Sequence, residues 1–179
     1  TGHVLFTQTH LLTMTSNILP EPSDELKRLS DSLCGRIRAE LEIDGMMPFS
    51  RYMEMALYEP GLGYYSAGLH KLGESGDFVT APELGPMFAA CLARQVNGIA
   101  EELGHYDILE IGAGTGQMAS DLLSSLPENR LPGRYMVLER SADLRRVQRD
   151  RIHATVPMLA DRVEWLDQPP GENWQGVLL

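Results

Sequence analysis

The stretch "DILEIGAGTGQMASDLLSSL", residues 107–126, constrains the fold more than any other part of the sequence. An apolar run interrupted only by Glu110 is typical of a buried strand, and the apolar residues after the glycines recur at helical spacing. Glycine is needed where the backbone turns with positive φ or must lie close to a ligand. A strand that leads through such a loop into a helix is the first unit of an open α/β sheet, and these sheets bind ligands at this loop.

The same alternation continues to the end of the sequence. "GRYMVLER" predicts a second strand, "SADLRRVQRDRI" a second helix and "DRVEWLD" a third strand, and "WQGVLL" begins a fourth. Strands that alternate with helices over short connections form parallel sheets with right-handed crossovers. We therefore expect an α/β fold, a doubly wound, Rossmann-like parallel sheet that the sequence follows to the start of strand four.

The segment before the sheet is predicted to be helical. We expect a flexible tail at residues 1–22, a helical N-terminal lobe at 23–104 that serves as a lid, and the N-terminal half of a Rossmann-like domain at 105–179. Ser23 and Ser50 are the expected N-caps of the first two helices, and Gly104 is expected to close the third. Apolar residues at three- and four-residue steps from Leu26 to Leu41 predict that one face of the first helix is buried.

Composition limits the classes of partner. The chain has 179 residues, of which 43% are hydrophobic and 22% charged, and its net charge is -10. This excess of acid argues against a surface that binds nucleic acid, and no apolar run approaches the length of a membrane span. Cys34 and Cys91 lack the spacing of metal ligands, so we expect two reduced core cysteines and no metal site.

The first twenty residues carry no recognisable targeting pattern. They lack the basic region and cleavage site of a signal peptide, and Met14 is an alternative start of translation. We expect a cytoplasmic protein. The mitochondrial matrix is the expected location only for a eukaryotic protein whose presequence is missing here.

The glycine loop itself favours one class of cofactor. Its pattern is E-x-G-x-G-x-G, and Gln117 stands where the dinucleotide pattern G-x-G-x-x-G requires glycine, which disfavours a nicotinamide-dependent oxidoreductase. An acid at the end of the strand can hold the cationic amino-acid part of S-adenosylmethionine (SAM), directly or through water. SAM is therefore the predicted cofactor, and the candidate binding residues in this segment are Glu110, Gly112, Ala113, Gly114 and Gly116.

Two further acids stand at the ends of the next strands. Glu139 ends the second strand, 23 residues beyond Gly116, where a carboxylate can accept hydrogen bonds from both ribose hydroxyls of a nucleoside. Asp167 ends the third strand, where it can accept from an adenine amino group. Asp167 fits a solvated turn residue equally well.

The stretch "SGDFVTAPELGPMF", residues 75–88, has two interpretations. Thr80 and Glu83 have the spacing of a capping box, with Pro82 in the first turn, which predicts the start of the third helix. A cap does not require the Gly76-Asp77-Phe78 sequence before it. We therefore expect Asp77 and Phe78 to contact the ligand or the substrate.

Four stretches together resemble the MidA-like family of SAM-dependent methyltransferases, which includes a mitochondrial protein arginine methyltransferase. They are "GYYS" at 63–66, "GDFVTAPEL" at 76–84, "LEIGAGTG" at 109–116 and "YMVLERSADLRRVQ" at 135–148. The resemblance runs from roughly the second helix to the end of the chain. It implies a SAM-binding Rossmann-like domain, a helical lobe that closes over the cofactor, and methyl transfer to a protein side chain.

The resemblance also implies roles for individual residues. Gly112, Gly114, Gly116 and Glu139 would hold SAM, and the expected substrate or lid residues are Tyr65, Asp77, Phe78, Thr80 and Glu83. For an arginine substrate, the carboxylate of Glu83 or Asp77 would draw in the guanidinium group. The sequence assigns no catalytic base. Members of the family continue for about as long again, so a catalytically silent scaffold that binds a partner protein is the alternative function.

Overall fold

The computed structural model describes residues 21–68, 77, 79–172 and 174–179. The helices are α1 (Asp24–Asp44), α2 (Phe49–Tyr58), α3 (Met87–Leu103), α4 (Gln117–Ser125) and α5 (Ala142–Thr155). The strands are β1 (Asp107–Ile111), β2 (Tyr135–Leu138), β3 (Val163–Leu166) and β4 (Gly176–Leu178). Short 3-10 helices cover Ala81–Leu84, Glu128–Arg130 and Pro157–Arg162.

The four strands form one parallel sheet in the order β3-β2-β1-β4. The chain winds outward from β1 to β3 and then returns to the other side of β1 to add β4. This confirms the predicted doubly wound α/β fold. Because the direction of winding reverses beside β1, a crevice opens at the carboxyl ends of the strands, which is where such sheets bind ligands.

One hydrophobic core joins the sheet to three helices. Ile108, Tyr135 and Val163 lie side by side in the strand register and belong to the same buried cluster as residues of α3, α4 and α5. Helix α3 ends at Leu103, and Gly104 follows it with a φ of 72°, as the sequence predicts. Since α3 shares the core of the sheet, it gives the glycine loop a fixed support. The domain limits proposed from the sequence stay predictions.

The predicted burial of α1 is wrong. Ser23 caps the helix as expected, because its side chain accepts from the Leu26 N–H at 3.3 Å, but α1 has no buried residue. The helix packs against α2, where Arg51 makes a two-point contact with Glu40 at 2.8 and 3.0 Å. In the described part of the chain, helix α2 is too short to cover the whole apolar stripe of α1.

Two other expectations for the helices also fail. Helix α2 begins at Phe49 after Pro48, whose carbonyl accepts from the N–H groups of Arg51 and Tyr52, so Ser50 is inside the helix and is not its cap. Cys91 is exposed and is not a core residue. The buried residues of α3 recur at three- and four-residue steps, and position 91 falls on the opposite side of that helix.

The predicted capping box at Thr80 and Glu83 is wrong as well. Thr80 precedes a short 3-10 helix and makes no side-chain cap, and α3 begins only at Met87. Gly85 and Pro86 separate the two helices, and Gly85 has a φ of 142° that an ordinary helix does not allow. Glu83 is therefore free of the capping role and accepts a hydrogen bond from Thr115 instead.

Ser141 joins the cap of α5 to the N-terminal segment. Its hydroxyl accepts from the Leu144 N–H at 3.2 Å and donates to the carbonyl of Tyr65, and the residue is fully buried. We expect Ser141→Ala to lower the free energy of unfolding by about 1–2 kcal/mol, because it removes a cap and leaves the partly buried Tyr65 carbonyl without its donor. Urea denaturation measures this. Ser23→Ala, which removes an exposed cap, is expected to cost less, and equal losses would show that the bond to Tyr65 contributes nothing.

Candidate cofactor site

A cavity of about 500 Å³ lies at the carboxyl ends of β1 and β2. Its volume falls in the range of small-molecule sites. Three segments form its walls: the glycine loop, the turn after β2, and parts of the N-terminal segment. The lining residues that matter below are Tyr58, Tyr65, Thr80, Glu83, Glu110, Gly112, Ala113, Gly114, Thr115, Glu139 and Arg140.

The glycine loop adopts a backbone that requires glycine at three positions. Gly112, Gly114 and Gly116 have φ values of 72°, 55° and 80°, all in the left-handed region. Gly112 and Gly114 line the cavity together with Ala113, so a ligand there lies against bare backbone. Gly116 is outside the lining and begins α4, where it packs against α5.

Glu110 lies in the wall of the cavity but is only 3% exposed. Tyr135 Oη donates a hydrogen bond to its Oε2 at 2.7 Å. Burial raises the pKa of the Glu110 carboxyl to about 7, the hydrogen bond from Tyr135 lowers this pKa, and the nearby charge of Glu139 raises it. The group therefore gains or loses a proton near neutral pH, and a cationic ligand would favour its charged form.

Glu139 is 5% exposed and also lines the cavity. One carboxylate oxygen accepts from the Ser141 N–H at 2.8 Å, and the other accepts from Gln148 Nε2 at 3.3 Å. Each carboxylate oxygen can accept a second hydrogen bond. The predicted ribose acceptor is thus held in a fixed orientation inside the cavity, with capacity left for a ligand.

Asp167 lies away from the cavity lining. Its side chain is 88% exposed and pairs with Arg145 at 2.8 Å. Arg145 also donates to the carbonyls of Glu139 and Leu166, so it ties together the ends of β2 and β3. The structure gives Asp167 a salt bridge on the surface and does not bring it to the site.

The N-terminal segment supplies one wall of the cavity. Tyr65, Thr80 and Glu83, which the sequence suggests as substrate or lid residues, line the cavity, and Thr115 of the glycine loop donates to the Glu83 carboxylate. Asp77 is exposed, is outside the lining, and accepts from Tyr64 Oη at 2.7 Å. Burial and the bond to Asp77 raise the pKa of Tyr64 to about 12. Phe78 lies outside the described residues.

Several residues of the cavity lining were not predicted from the sequence, including three that carry polar groups. Tyr58 and Thr115 line the cavity, and so does Arg140, whose guanidinium lies 4.9 Å from the centre of the Tyr58 ring. Arg140 also pairs with Glu54 of α2, so it joins the helical segment to the end of β2. Arg140 could have been predicted as a site residue because it directly follows Glu139. Nothing in the local sequence marks Tyr58 as a site residue.

The donor set of the cavity fits the predicted cofactor. Two buried acids, Glu110 and Glu139, suit a molecule with cationic groups and a ribose, and bare glycine backbone admits its close approach. Glu110, beside the glycine loop, opposes the pyrophosphate of a dinucleotide, whereas Glu139 would suit the ribose of either cofactor. Within the described ranges, no group of His, Cys, Asp or Glu side chains could hold a metal ion. The described helices are all too short or too polar to cross a membrane.

The fold and the site together define a Rossmann-like α/β domain with a nucleoside-type cavity. A family model described as "Putative S-adenosyl-L-methionine-dependent methyltransferase" matches residues 91–179. The structure resembles the crystal structure of a Burkholderia thailandensis protein bound to S-adenosyl-homocysteine, with a TM-score of 0.77 and 43% identity over 89% of this chain and 43% of that chain. The C-terminal part of the chain, residues 91–179, belongs to this family of SAM-dependent methyltransferases.

Curated relatives carry a more specific name. The Drosophila melanogaster "Protein arginine methyltransferase NDUFAF7 homolog, mitochondrial" is 28% identical over 146 residues, 77% of this chain and 33% of its own length. The Xenopus laevis "Protein arginine methyltransferase NDUFAF7, mitochondrial" is 33% identical over 105 residues, 54% of this chain and 23% of its own length. The chain therefore spans a third or less of these relatives.

Proposed function

We propose that this protein binds SAM and takes part in methyl transfer to a protein side chain, with the arginine guanidinium as the acceptor. One observation carries the proposal: Glu110, the glycine loop and Glu139 meet in one cavity at the point where the sheet reverses its winding. Membership of the SAM-dependent family and the names of the curated relatives support it.

The residues of this chain would bind and orient the reactants. Bound SAM supplies a methyl group on a sulfonium; transfer to an acceptor nitrogen leaves the electron pair on sulfur and releases a proton from that nitrogen. Alignment of the reacting atoms is the main contribution that a protein can make to such an in-line displacement. Glu139 would hold the ribose, Glu110 the cationic amino-acid part, and the glycine loop the backbone face of the cofactor.

The wall that the N-terminal segment supplies suits a cationic acceptor. Glu83 lines the cavity and its carboxylate is fixed by Thr115, so it is placed to receive a guanidinium group by a charge-assisted hydrogen bond. Asp77, the other acid considered from the sequence, is outside the lining. A cytoplasmic location stays a prediction.

Calorimetric titration tests the cofactor. We expect heat of binding with SAM and with S-adenosyl-homocysteine, and none with NAD. Glu139→Ala should weaken the binding of S-adenosyl-homocysteine about tenfold or more, because it removes a charged acceptor of hydrogen bonds. Glu164→Ala, which removes a half-exposed acid from β3, is the control and should bind like the parent. The proposal would be contradicted if the folded parent bound NAD but neither SAM nor S-adenosyl-homocysteine.

A methylation assay separates catalysis from the alternative, a silent scaffold. The methyl group of labelled SAM should appear on an arginine-containing protein or peptide, and Glu83→Gln should weaken the use of that acceptor without weakening the binding of S-adenosyl-homocysteine. A protein that binds the cofactor but transfers no methyl group under any condition would favour the scaffold.

A further inference from the structure

Gln148 on α5 is a polar side chain in the core of the protein. It is 1% exposed, although α5 is largely polar and half of its residues are exposed. A buried amide is costly unless its donors and acceptor are paired. The partners of Gln148 therefore indicate why the sequence keeps an amide there.

The Gln148 amide joins three parts of the cofactor site. Its Nε2 donates to the Gly114 carbonyl at 2.9 Å and to Glu139 Oε2 at 3.3 Å. Its Oε1 accepts from Trp165 Nε1 on β3 at 2.8 Å. One side chain thus connects the glycine loop, the end of β2 and the neighbouring strand β3.

The backbone around Gln148 is also fixed. A Cβ atom at Gly116 would lie 3.2 Å from the Gln148 Cα atom and 3.3 Å from its Cγ atom. Helix α5 therefore packs directly against the start of α4, without room for a side chain between them. The amide reaches its partners from a rigid position, which is what orientation of another side chain requires.

We propose that Gln148 is a positioning residue for nucleoside binding. It holds the Glu139 carboxylate from one side while the Ser141 N–H holds it from the other, and it fixes the carbonyl of the cavity-lining Gly114. The proposal rests on the proposed binding of SAM. An amide suits this role because it donates to Glu139 without adding a charge, so the carboxylate keeps its capacity to accept from a ribose.

The first test removes the amide and keeps the volume. Gln148→Met should weaken the binding of S-adenosyl-homocysteine about tenfold, while Gln95→Met, on the exposed side of α3, should bind like the parent. If Gln148 acts through Glu139, its effect should largely disappear in a Glu139→Gln background, because linked residues give non-additive effects. Full additivity in the double variant would overturn the proposal.

The second test uses pH to restore the hydrogen bond. In Gln148→Glu, a charged carboxylate at position 148 would repel Glu139 directly after β2 and Glu110 on β1. Of the neighbouring cations, Arg145 is bound to the Glu139 carbonyl and Arg149 lies over the Trp165 ring. At low pH the new carboxyl group carries a proton and can donate to Glu139 as the amide does. The affinity of this variant relative to the parent should therefore recover, about tenfold, between pH 8 and pH 5. A constant ratio of affinities would overturn the proposal, since a packing defect does not depend on pH.

A third readout needs no ligand. The indole N–H signal of Trp165 in a nitrogen-15 NMR spectrum, assigned with Trp165→Phe, should shift in Gln148→Met and stay in place in Gln95→Met. An unmoved signal would show that the amide is not bound to Trp165 and would overturn the proposed geometry of Gln148.

A parent that binds no S-adenosyl-homocysteine overturns both the proposed function and the role of Gln148. If the parent and Gln148→Met bind S-adenosyl-homocysteine with the same affinity, only the role of Gln148 is overturned.

Discussion

Gly116→Val is expected to weaken the binding of S-adenosyl-homocysteine at least a hundredfold, although residue 116 does not line the cavity. The backbone there has a φ of 80°, which costs a residue with a side chain roughly 1–2 kcal/mol and a β-branched residue more. The added Cβ also meets the backbone of Gln148 at 3.2 Å. Helix α5 must move away, and the hydrogen bonds of Gln148 to Gly114 and Glu139 move with it.

Calorimetry measures the loss of affinity, and urea denaturation shows whether the variant still folds. The matched control is a glycine in an ordinary helical position: a Cβ atom added at Gly98 of α3 would meet no atom within 4 Å, and the residue has no positive φ. Gly98→Ala should stabilise the protein by about 0.5–1 kcal/mol, whereas Gly116→Ala should destabilise it. Affinity within about threefold of the parent in Gly116→Val would refute the account of this loop.

The sheet could be predicted from the sequence because its signals are local. Each strand is a short apolar run between turn residues, and α4 and α5 follow their strands within a few residues. The parallel direction of the strands then follows from the helical connections between them. The burial of α1 could not be predicted in this way, because periodicity shows which face of a helix is apolar and not whether another layer covers it.

The glycine loop and Glu139 were placed in one site for a general reason: the carboxyl ends of neighbouring parallel strands meet at one edge of the sheet. The same reasoning placed Asp167 in the site. Whether Asp167 contacts a ligand or pairs with Arg145 depends on tertiary packing, which the local sequence does not show. Glu83 shows the same limit. Its spacing from Thr80 fits a cap, yet its partner Thr115 lies 32 residues away.

The residues that support the site were missed for a related reason. Gln148 stands in a charged, polar helix, where a glutamine ordinarily faces the solvent, and only its contacts show that it is buried. In the sequence Tyr135 is an ordinary strand residue, and only the structure places its hydroxyl against Glu110. Support of this kind depends on three-dimensional packing, and a single sequence carries no separate signal for it.

Glu110 is expected to make the stability of the protein depend on pH near neutrality. Burial raises the pKa of its carboxyl from 4.5 to about 7, so the folded protein binds this proton more tightly than the unfolded chain does. The resulting stability is fully present below about pH 4.5 and is lost as the pH rises through 7. Over that range the loss is about 3 kcal/mol, which is a large share of the stability of a typical domain.

Glu110→Gln removes the titration and keeps an oxygen that accepts from Tyr135. Its free energy of unfolding, measured with urea at pH 5 and pH 8, should exceed that of the parent by less than about 1 kcal/mol at pH 5 and by about 3 kcal/mol at pH 8. Glu164→Gln, at a half-exposed position of β3, should have the same free energy of unfolding as the parent at both pH values. An equal change in the free energy of unfolding of Glu110→Gln and the parent between the two pH values would show that the carboxyl does not titrate in this range.

The more stable variant should nevertheless bind S-adenosyl-homocysteine about tenfold more weakly at pH 8, because the amino group of the ligand loses its charged partner. The parent would then keep a destabilising buried acid because the cofactor requires its charge.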